Sequence, residues 1–327
     1  MSQLFQRAAD NQGMTPPREV VPGRDYMITR RCSERRFFLR PDDATDNAFI
    51  YCLALAVQRA KVEVTFSEAM ANHHHTGIHD PDGNFPVFTE HFHGLLARCQ
   101  NAHLGRFENF WSSEATSVVR LLEPNDVLEK MVYAYTNPAV ADLVETADEW
   151  PGASTLQATL TGVDLTATRP AYFFRDDGDM PEAVTLKIHR PHGFAQLGHE
   201  EWAAKVRELV RAKESEARQR RVREGKRVLG VERILAQNPF DRPKSHAPHF
   251  KLNPRLAAKS KWARIEALLR NRGFQEKYRD AIQRHLAGIV DVLFPFGTYW
   301  MRRFGRVLCD TESGATVTTC PLVPAPA

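Results

Sequence analysis

Three consecutive histidines, His73, His74 and His75, are the residues of this chain whose type and spacing most directly predict chemistry. If they lie on a β-strand, His73 and His75 point to one face and His74 to the other, because side chains alternate along a strand. Two neighbouring imidazoles can hold a divalent cation together with a third ligand from elsewhere in the chain. A group of solvent-exposed histidines is the alternative interpretation of the same triplet.

A second candidate group lies in a predicted helix over residues 126–144, which contains Tyr133, Tyr135 and Asn137. Tyr133 and Asn137 are four residues apart and therefore share one helix face. A tyrosine can act as a covalent nucleophile where a metal and polar groups favour its phenolate. Two structural alternatives stand beside this: Tyr133 as a core residue with a bonded hydroxyl, and Asn137 as the N-cap of a new helix that begins at Pro138.

The charge of the chain is unevenly distributed between its two halves. Residues 1–200 carry 18 Lys and Arg against 27 Asp and Glu, whereas residues 201–327 carry 26 against 13. A basic C-terminal half favours a polyanionic partner, and nucleic acid fits best. An Arg-rich, solvated helix surface is the alternative. The five cysteines are odd in number, widely spread and without a Cys-x-x-Cys pair, which disfavours a disulfide framework or a cysteine zinc site.

The elements that must position these residues follow from hydrophobic periodicity. Alternation predicts strands over residues 25–32, 61–70, 73–79 and 117–122, the second of them half-buried with Val62, Val64 and Phe66 on one side. Helical spacing predicts a helix that starts at Thr45 or Asp46 and another over residues 85–102. His91 and His93 fall on the latter and are predicted at its surface. The resulting β-α-β-β-α-β order is that of a ferredoxin-like α+β fold, with helices on one face of an antiparallel sheet and the other face free for a substrate.

Beyond this unit, periodicity predicts a long basic helix over residues 197–228, a loop over 238–254 and helices over 255–270 and 274–293. The domain boundaries predicted are a flexible lead-in at 1–22, a ferredoxin-like domain at 23–152, a connecting segment at 153–200, a basic helical extension at 201–310 and a loose tail at 311–327; the resemblance described next implies that the second is a catalytic domain and the fourth binds DNA. No uncharged apolar run approaches the ~18 residues of a membrane span, and the N-terminus lacks a signal-peptide core, so the cytoplasm is expected.

The order Met-x-Asn-His-x-His, followed downstream by Tyr-x-x-x-Asn-Pro, resembles the single-tyrosine HUH transposases and, within them, the REP-associated tyrosine transposases. The matching residues are Met70 to His75 and Tyr133 to Pro138. Shorter segments are also similar: Gly23-Arg24, Asn109-Phe110-Trp111 and Glu149-Trp150-Pro151. The resemblance covers residues 23–152 well and residues 228–258 and 294–303 more loosely.

The resemblance implies a bacterial, nucleoid-associated enzyme that nicks and rejoins single-stranded DNA at hairpin-forming palindromes. It implies His73, His75 and Asn137 as ligands of Mg²⁺ or Mn²⁺, and Tyr133 as the nucleophile that forms a 5′-phosphotyrosine. A domesticated, non-catalytic DNA- or RNA-binding protein on the same fold is the alternative. The middle residue of the histidine motif is bulky and apolar in the family, whereas here it is His74, and a buried neutral imidazole needs a hydrogen-bond partner.

Through the same resemblance, the arginines of the C-terminal half are expected to hold DNA phosphates, which would make binding depend on salt. The candidates are Arg218, Arg220, Arg221, Arg223, Arg302 and Arg303. The aromatic residues Phe294, Phe296 and Trp300 lie near the last two. They can stack unpaired bases, but we favour their interpretation as a hydrophobic anchor.

Overall fold

The computed structural model describes residues 17–244, 254–311 and 316–317. The chain divides into two compact units, Gly23–Lys259 and a second unit formed by Met1–Pro22 together with Ser260–Ala327. Most of the predicted lead-in and tail, and part of the predicted loop over 238–254, lie outside the described residues. No helix in the described part of the chain is both long and apolar enough to cross a membrane.

The unit Gly23–Lys259 contains seven strands and six helices among its described residues. The strands are β1 (Arg24–Arg31), β2 (Glu63–Met70), β3 (His73–Asp80), β4 (Ser117–Leu121), β5 (Leu165–Thr168), β6 (Ala183–Leu186) and β7 (Leu256–Ala257). The helices are α1 (Asp43–Ala60), α2 (Phe85–His103), α3 (Pro124–Val140), α4 (Leu156–Thr161), α5 (His199–Glu224) and α6 (Val231–Leu235).

The main sheet has the strand order β2-β3-β1-β4-β7, antiparallel except for the short parallel pair β4–β7. Its first four strands, with α1 between β1 and β2 and α2 between β3 and β4, confirm the predicted ferredoxin-like α+β fold. A two-stranded sheet of β5 and β6 lies beside α1. Strand β3 is thus flanked by β1 and β2, which places the histidine triplet in the interior of the sheet.

The prediction of a free sheet face is wrong, because helices pack on both faces. Helices α1 and α2 cover one face, and α3 covers the other together with α5. The second face carries large apolar side chains, among them Met27, Phe66 and Val119, which form a core with α3. Burial of these side chains is favourable by about 25 cal/mol per Å² of apolar surface. Helix α3, which carries Tyr133, is therefore held against the sheet by the hydrophobic core that the helix and the sheet form together.

Strand β2 is buried on both sides rather than half-buried. A bulge shifts its register, so that Val64 pairs with Ile78 whereas Phe66 pairs with Gly77. Because neighbours along β3 face opposite ways, Val64 and Phe66 lie on opposite faces, and not on one side as predicted. The Phe66 ring occupies the space where a side chain at position 77 would be, since a Cβ there would come within 2.1 Å of it.

Two helix boundaries near the candidate residues differ from prediction. Helix α1 begins at Asp43, and Asp42 caps it by accepting a hydrogen bond from the Thr45 amide at 2.8 Å. Helix α3 begins at Pro124 with a capping box and continues through Pro138 to Val140. Asn137 is therefore an interior residue of α3 and not the N-cap of a new helix.

The second unit contains α7 (Lys261–Leu286), α8 (Trp300–Phe304) and a small sheet of order β10-β9-β8, formed by β8 (Leu293–Phe294), β9 (Leu308–Asp310) and β10 (Thr316–Val317). The two helices predicted over 255–270 and 274–293 are one, because Gly273 is accommodated within α7. Residues 255–260 precede this helix and supply β7 instead. Phe294 is fully buried in the core of this unit.

Candidate active site

His73 and His75 lie side by side on β3, on the sheet face that α3 covers. Their ring centroids are 4.8 Å apart, and the two planes are nearly perpendicular. His75 is opposite Thr29 of β1, and His73 is opposite Arg31. The predicted alternation of the triplet is therefore confirmed: His73 and His75 lie on one face of the sheet, and His74 lies on the opposite face.

Hydrogen bonds define which ring nitrogen of each histidine is available. The Asn72 carboxamide oxygen accepts from His73 Nδ1 at 2.7 Å, and Thr29 Oγ1 is bonded to His75 Nδ1 at 2.7 Å. An amide oxygen only accepts, so His73 carries its proton on Nδ1 and presents the lone pair of Nε2. His75 Nε2 lies 3.0 Å from the Asn137 amide nitrogen, which donates to it. The Nε2 atom of His73 is therefore left with its lone pair, and that of His75 accepts from Asn137.

Burial lowers the pKa of both imidazoles. It is the main cause of the shift at His73, whose pKa falls to about 4, and Arg31 and Arg35 add to it. The pKa of His75 is also lowered, first by burial and then by the neighbouring histidines. Both rings are consequently neutral near pH 7, and a neutral imidazole is the form that binds a metal.

Helix α3 brings Tyr133 and Asn137 to this pair. The Tyr133 ring centroid is 5.3 Å from that of His75, and the residue is 49% exposed. Lys130 Nζ lies 5.9 Å from the centre of the tyrosine ring. Burial of part of the ring raises the pKa of Tyr133, so its phenol is protonated near neutral pH. The two structural alternatives for this helix are thereby excluded, since Tyr133 is not a core residue and Asn137 does not cap a helix.

Tyr135, two residues away, has a different place. It is 1% exposed, and its hydroxyl bonds those of Thr155 at 2.9 Å and Thr159 at 2.7 Å. Burial raises its pKa far above the usual range. Tyr135 is a structural residue that fastens α3 to α4, and it has no access to a substrate.

The donor set of the site fits a hard or borderline divalent cation. Two neutral imidazoles lie side by side, with ring centroids 4.8 Å apart, and a half-turn of the Asn137 carboxamide would put its oxygen where the nitrogen now bonds His75. No group of three His, Cys, Asp or Glu side chains suited to a metal occurs in the described part of the chain. A cation here would thus have two nitrogen ligands and one amide oxygen from the protein, with positions left for phosphate oxygens and water.

His74 is oriented by a buried hydrogen-bond chain on the other side of the sheet. Arg30 donates to His93 Nδ1 at 3.3 Å, so His93 donates from Nε2 to His74 Nε2, 3.0 Å away. His74 Nδ1 then donates to Thr76 Oγ1 at 3.0 Å. Both His74 nitrogens are satisfied on the sheet face opposite His73 and His75. His93 is 2% exposed, so the prediction that it lies at the helix surface is wrong. Helical spacing did not indicate its contact with His74, because His74 lies on β3 and not on the same helix.

The four arginines predicted on the basic helix α5 differ in their environments: one is buried, one is paired, and two point to solvent. Arg221 is buried, with its side chain 3% exposed, and it bonds Ala139 O at 2.9 Å and Glu145 at 2.6 Å. Its guanidinium is therefore not presented to a polyanion. Arg220 is paired with Asp142 and donates to Val140 O at 3.0 Å.

The other four predicted arginines are more exposed. Arg218 and Arg223 point to solvent, with Arg218 Nε 3.9 Å from Glu145. In the second unit, Arg302 is exposed, and Arg303 donates to the Tyr299 hydroxyl at 2.6 Å. Phe294 is buried in the core of the second unit, and its predicted role as an anchor onto the catalytic domain stays a prediction. The anchor interpretation is wrong for Trp300, which is 53% exposed and stacks on Phe304 with ring centroids 5.2 Å apart.

An open groove of about 980 Å³ runs between α3 and α5 and includes Tyr133 in its lining. Its cationic side chains were not among the predicted residues: they are Lys130, Lys205, Lys213 and Lys259, joined by the predicted Arg220. Helical spacing in the sequence indicates that three of these cationic residues lie together. Lys205, Lys213 and Arg220 are separated by eight and seven residues and therefore share a face of α5.

Among the solved structures to which the chain is similar, two are described as transposases. The chain is similar to a REP-associated tyrosine transposase bound to a REP hairpin, with a TM-score of 0.39 and 16% identity over 51% of this chain and 93% of the other. It is also similar to a protein from Deinococcus radiodurans R1 assigned as a transposase, with a TM-score of 0.27 and 20% identity over 32% and 85%. No protein-family model and no curated protein matches the sequence. In its motifs this chain resembles the REP-associated tyrosine transposases, and a solved structure of that name is among those to which it is similar.

Proposed function

We propose that this protein is a metal-dependent endonuclease and strand transferase, a transposase, that acts on hairpin-forming single-stranded DNA through a 5′-phosphotyrosine intermediate. The observation that carries the proposal is the meeting of β3 and α3. His75 is 3.0 Å from Asn137 and in ring contact with both His73 and Tyr133. A ligand set and a solvent-accessible nucleophile thus adjoin each other.

In the proposed reaction the Tyr133 hydroxyl oxygen attacks the scissile phosphorus. A phosphorus–oxygen bond to the tyrosine forms, the bond to the 3′ oxygen of the preceding nucleotide breaks, and that oxygen takes up a proton. The phenolic proton leaves to water, which reaches the half-exposed ring. The bond energy is retained in the phosphotyrosine, so attack by another 3′ hydroxyl rejoins DNA without ATP.

The surrounding residues prepare this step. His73 and His75, held by Asn72 and Thr29, keep two neutral donors aimed at the position of the phosphate, and Asn137 supplies an amide. When bound there, Mg²⁺ or Mn²⁺ would withdraw charge from the phosphate oxygens and lower the pKa of a nearby phenol. Such assistance is needed because the protein environment by itself raises the pKa of Tyr133.

The proposal is tested with labelled single-stranded hairpin oligonucleotides, Mn²⁺ and a denaturing gel. We expect an SDS-resistant adduct that EDTA prevents and that Tyr133→Phe abolishes, with hairpin binding nearly unchanged. Tyr135→Phe is the matched control, because it removes a hydroxyl two residues away that points into the core. It should keep the adduct.

Adducts that persist in Tyr133→Phe would refute the assignment of the nucleophile. Tight hairpin binding without any adduct in the wild-type protein would refute the enzyme and leave the non-catalytic nucleic-acid-binding protein. The same gel therefore separates the two functions.

A further inference from the structure

The groove between α3 and α5 adjoins the candidate nucleophile and has no role in the site geometry described above. One wall is a face of α3 that carries Lys130, Tyr133 and Thr136, and the other is a face of α5. Tyr133 contacts His75 and also lines the groove. The groove is thus continuous with the metal-ligating histidines through this one side chain.

Positive charge predominates along the groove. Lys130, Lys205, Lys213, Lys259 and Arg220 line it, against two carboxylates, Glu129 and Glu216. Glu129 lies 3.3 Å from Lys130 and 3.2 Å from Lys259, and Glu216 lies 2.7 Å from Lys213. Ion pairs of this kind at the surface contribute little to stability. A phosphate can therefore replace a carboxylate as the partner of a lysine at little cost.

The floor between these charges is apolar. Leu128 and Val132 of α3 face Leu209 and Ala212 of α5 across it. An apolar floor with a cationic rim suits a chain whose backbone is anionic and whose bases have apolar faces. The aromatic ring of Tyr133, at the histidine side, offers a surface on which a base can stack.

From this arrangement we infer that the α3–α5 groove binds the unpaired DNA strand that flanks the scissile phosphate, with its phosphates on the lysines and its bases over the apolar floor. The inference rests on the proposed function for the identity of the strand. Charge complementarity and continuity with Tyr133 select DNA over a helix of a second protein, for which the excess of lysines offers no partner.

The test measures binding by fluorescence anisotropy to a hairpin with and without a single-stranded extension on its 5′ or 3′ side. All proteins carry Tyr133→Phe, so that cleavage does not interfere. The groove variant is Lys205→Glu with Lys213→Glu. The matched control is Arg207→Glu with Arg211→Glu, which makes the same charge change on exposed residues of the same helix outside the groove.

We expect the groove variant to bind the extended hairpin at least tenfold more weakly and the blunt hairpin nearly as before. Loss of two phosphate contacts should also reduce the slope of log K against log salt by about 1.4 for a single strand. The control should lose little affinity for either substrate. A 4-thiothymidine placed in the extension should crosslink to peptides of α3 or α5.

Equal losses for both substrates, or equal losses in the groove and control variants, would overturn the inference. So would undiminished DNA binding by the groove variant together with a wild-type dimer in gel filtration that the variant loses, which would give the groove to a second copy of the chain. These outcomes are independent of the adduct test. If adducts never form but the loss specific to the extended hairpin is seen, the groove binds the strand and the protein is not a strand transferase. If adducts form but the groove variant shows no such loss, the protein is a strand transferase and the strand binds elsewhere.

Discussion

Replacement of Arg221 by methionine distinguishes a structural arginine from a DNA-binding one. The aliphatic part of the methionine keeps most of the packing of the side chain, while the guanidinium is lost. In the structure that guanidinium bonds the Ala139 carbonyl, near the end of α3, and the Glu145 carboxylate. It also lies 3.6 Å from Asp142. The variant therefore removes the hydrogen bonds that join α5 to the last turn of α3 and to the segment that follows it.

The expected loss in the free energy of unfolding follows from the two acceptors that Arg221 no longer bonds, the Ala139 carbonyl and the Glu145 carboxylate. The buried Ala139 carbonyl keeps the Asp142 amide as a donor at 3.3 Å, so the loss there is that of one hydrogen bond from a charged group, about 1–3 kcal/mol. Glu145 is 44% exposed and regains water, so its share is that of a surface pair, about 0–1 kcal/mol. The sum is a decrease of about 1–4 kcal/mol in the free energy of unfolding. For a unit of the size of Gly23–Lys259 this corresponds to a Tm lower by about 2–16 °C.

The assay is thermal unfolding followed by circular dichroism, with hairpin binding measured well below the transition. Arg223→Met is the matched control, because Arg223 is on the same helix and exposed. It should change stability by no more than about 0.5 kcal/mol. An unchanged Tm in Arg221→Met, together with a loss of DNA affinity larger than that of Arg223→Met, would refute the structural reasoning and return Arg221 to the DNA interface.

Two further predictions concern the sheet. Thr29→Val removes the hydroxyl that holds His75 Nδ1 and should weaken Mn²⁺ binding by about 10–100-fold, measured by calorimetry, while the same change at exposed Thr161 should leave it unaltered. The pKa of His79 is raised, first by its hydrogen bond to Asp25, so this pair stabilises the fold fully below the unfolded pKa of histidine and loses that contribution as pH rises through the higher folded value. Urea titrations between pH 5 and pH 9 should show this decline, of about 1 kcal/mol or less, and Asp25→Asn should abolish it. A decline that persists in Asp25→Asn would assign it to another group.

Local periodicity is sufficient for the order of the first six elements, β1 to β4 with α1 and α2, and for the direction of the histidine and tyrosine side chains on β3 and α3. A strand repeats every two residues, so the histidine triplet had to direct His73 and His75 to one face. A helix repeats every 3.6 residues, so Tyr133 and Asn137 had to share a side of α3. These relations depend only on neighbours in the chain, and the structure has them as predicted.

Other features depended on contacts between distant segments. The bulge in β2 turns Phe66 toward α3, and a bulge leaves no mark in a simple alternation of residue types. Arg221 and His93 were assigned to the surface by type or by spacing. Both are buried because partners from other elements, Ala139 and Arg30, satisfy their hydrogen bonds.

By itself, then, the sequence determined which residues could act and which way each faces on its own strand or helix. The tertiary structure alone decided that β3 and α3 place His75 within 3.0 Å of Asn137 and in contact with Tyr133, and that α5 lies alongside to form a basic groove. The physical reason is that side-chain direction is set by the local backbone, whereas the distance between elements is set by the packing of a hydrophobic core. That packing optimises all contacts at once, and no single window of sequence contains them.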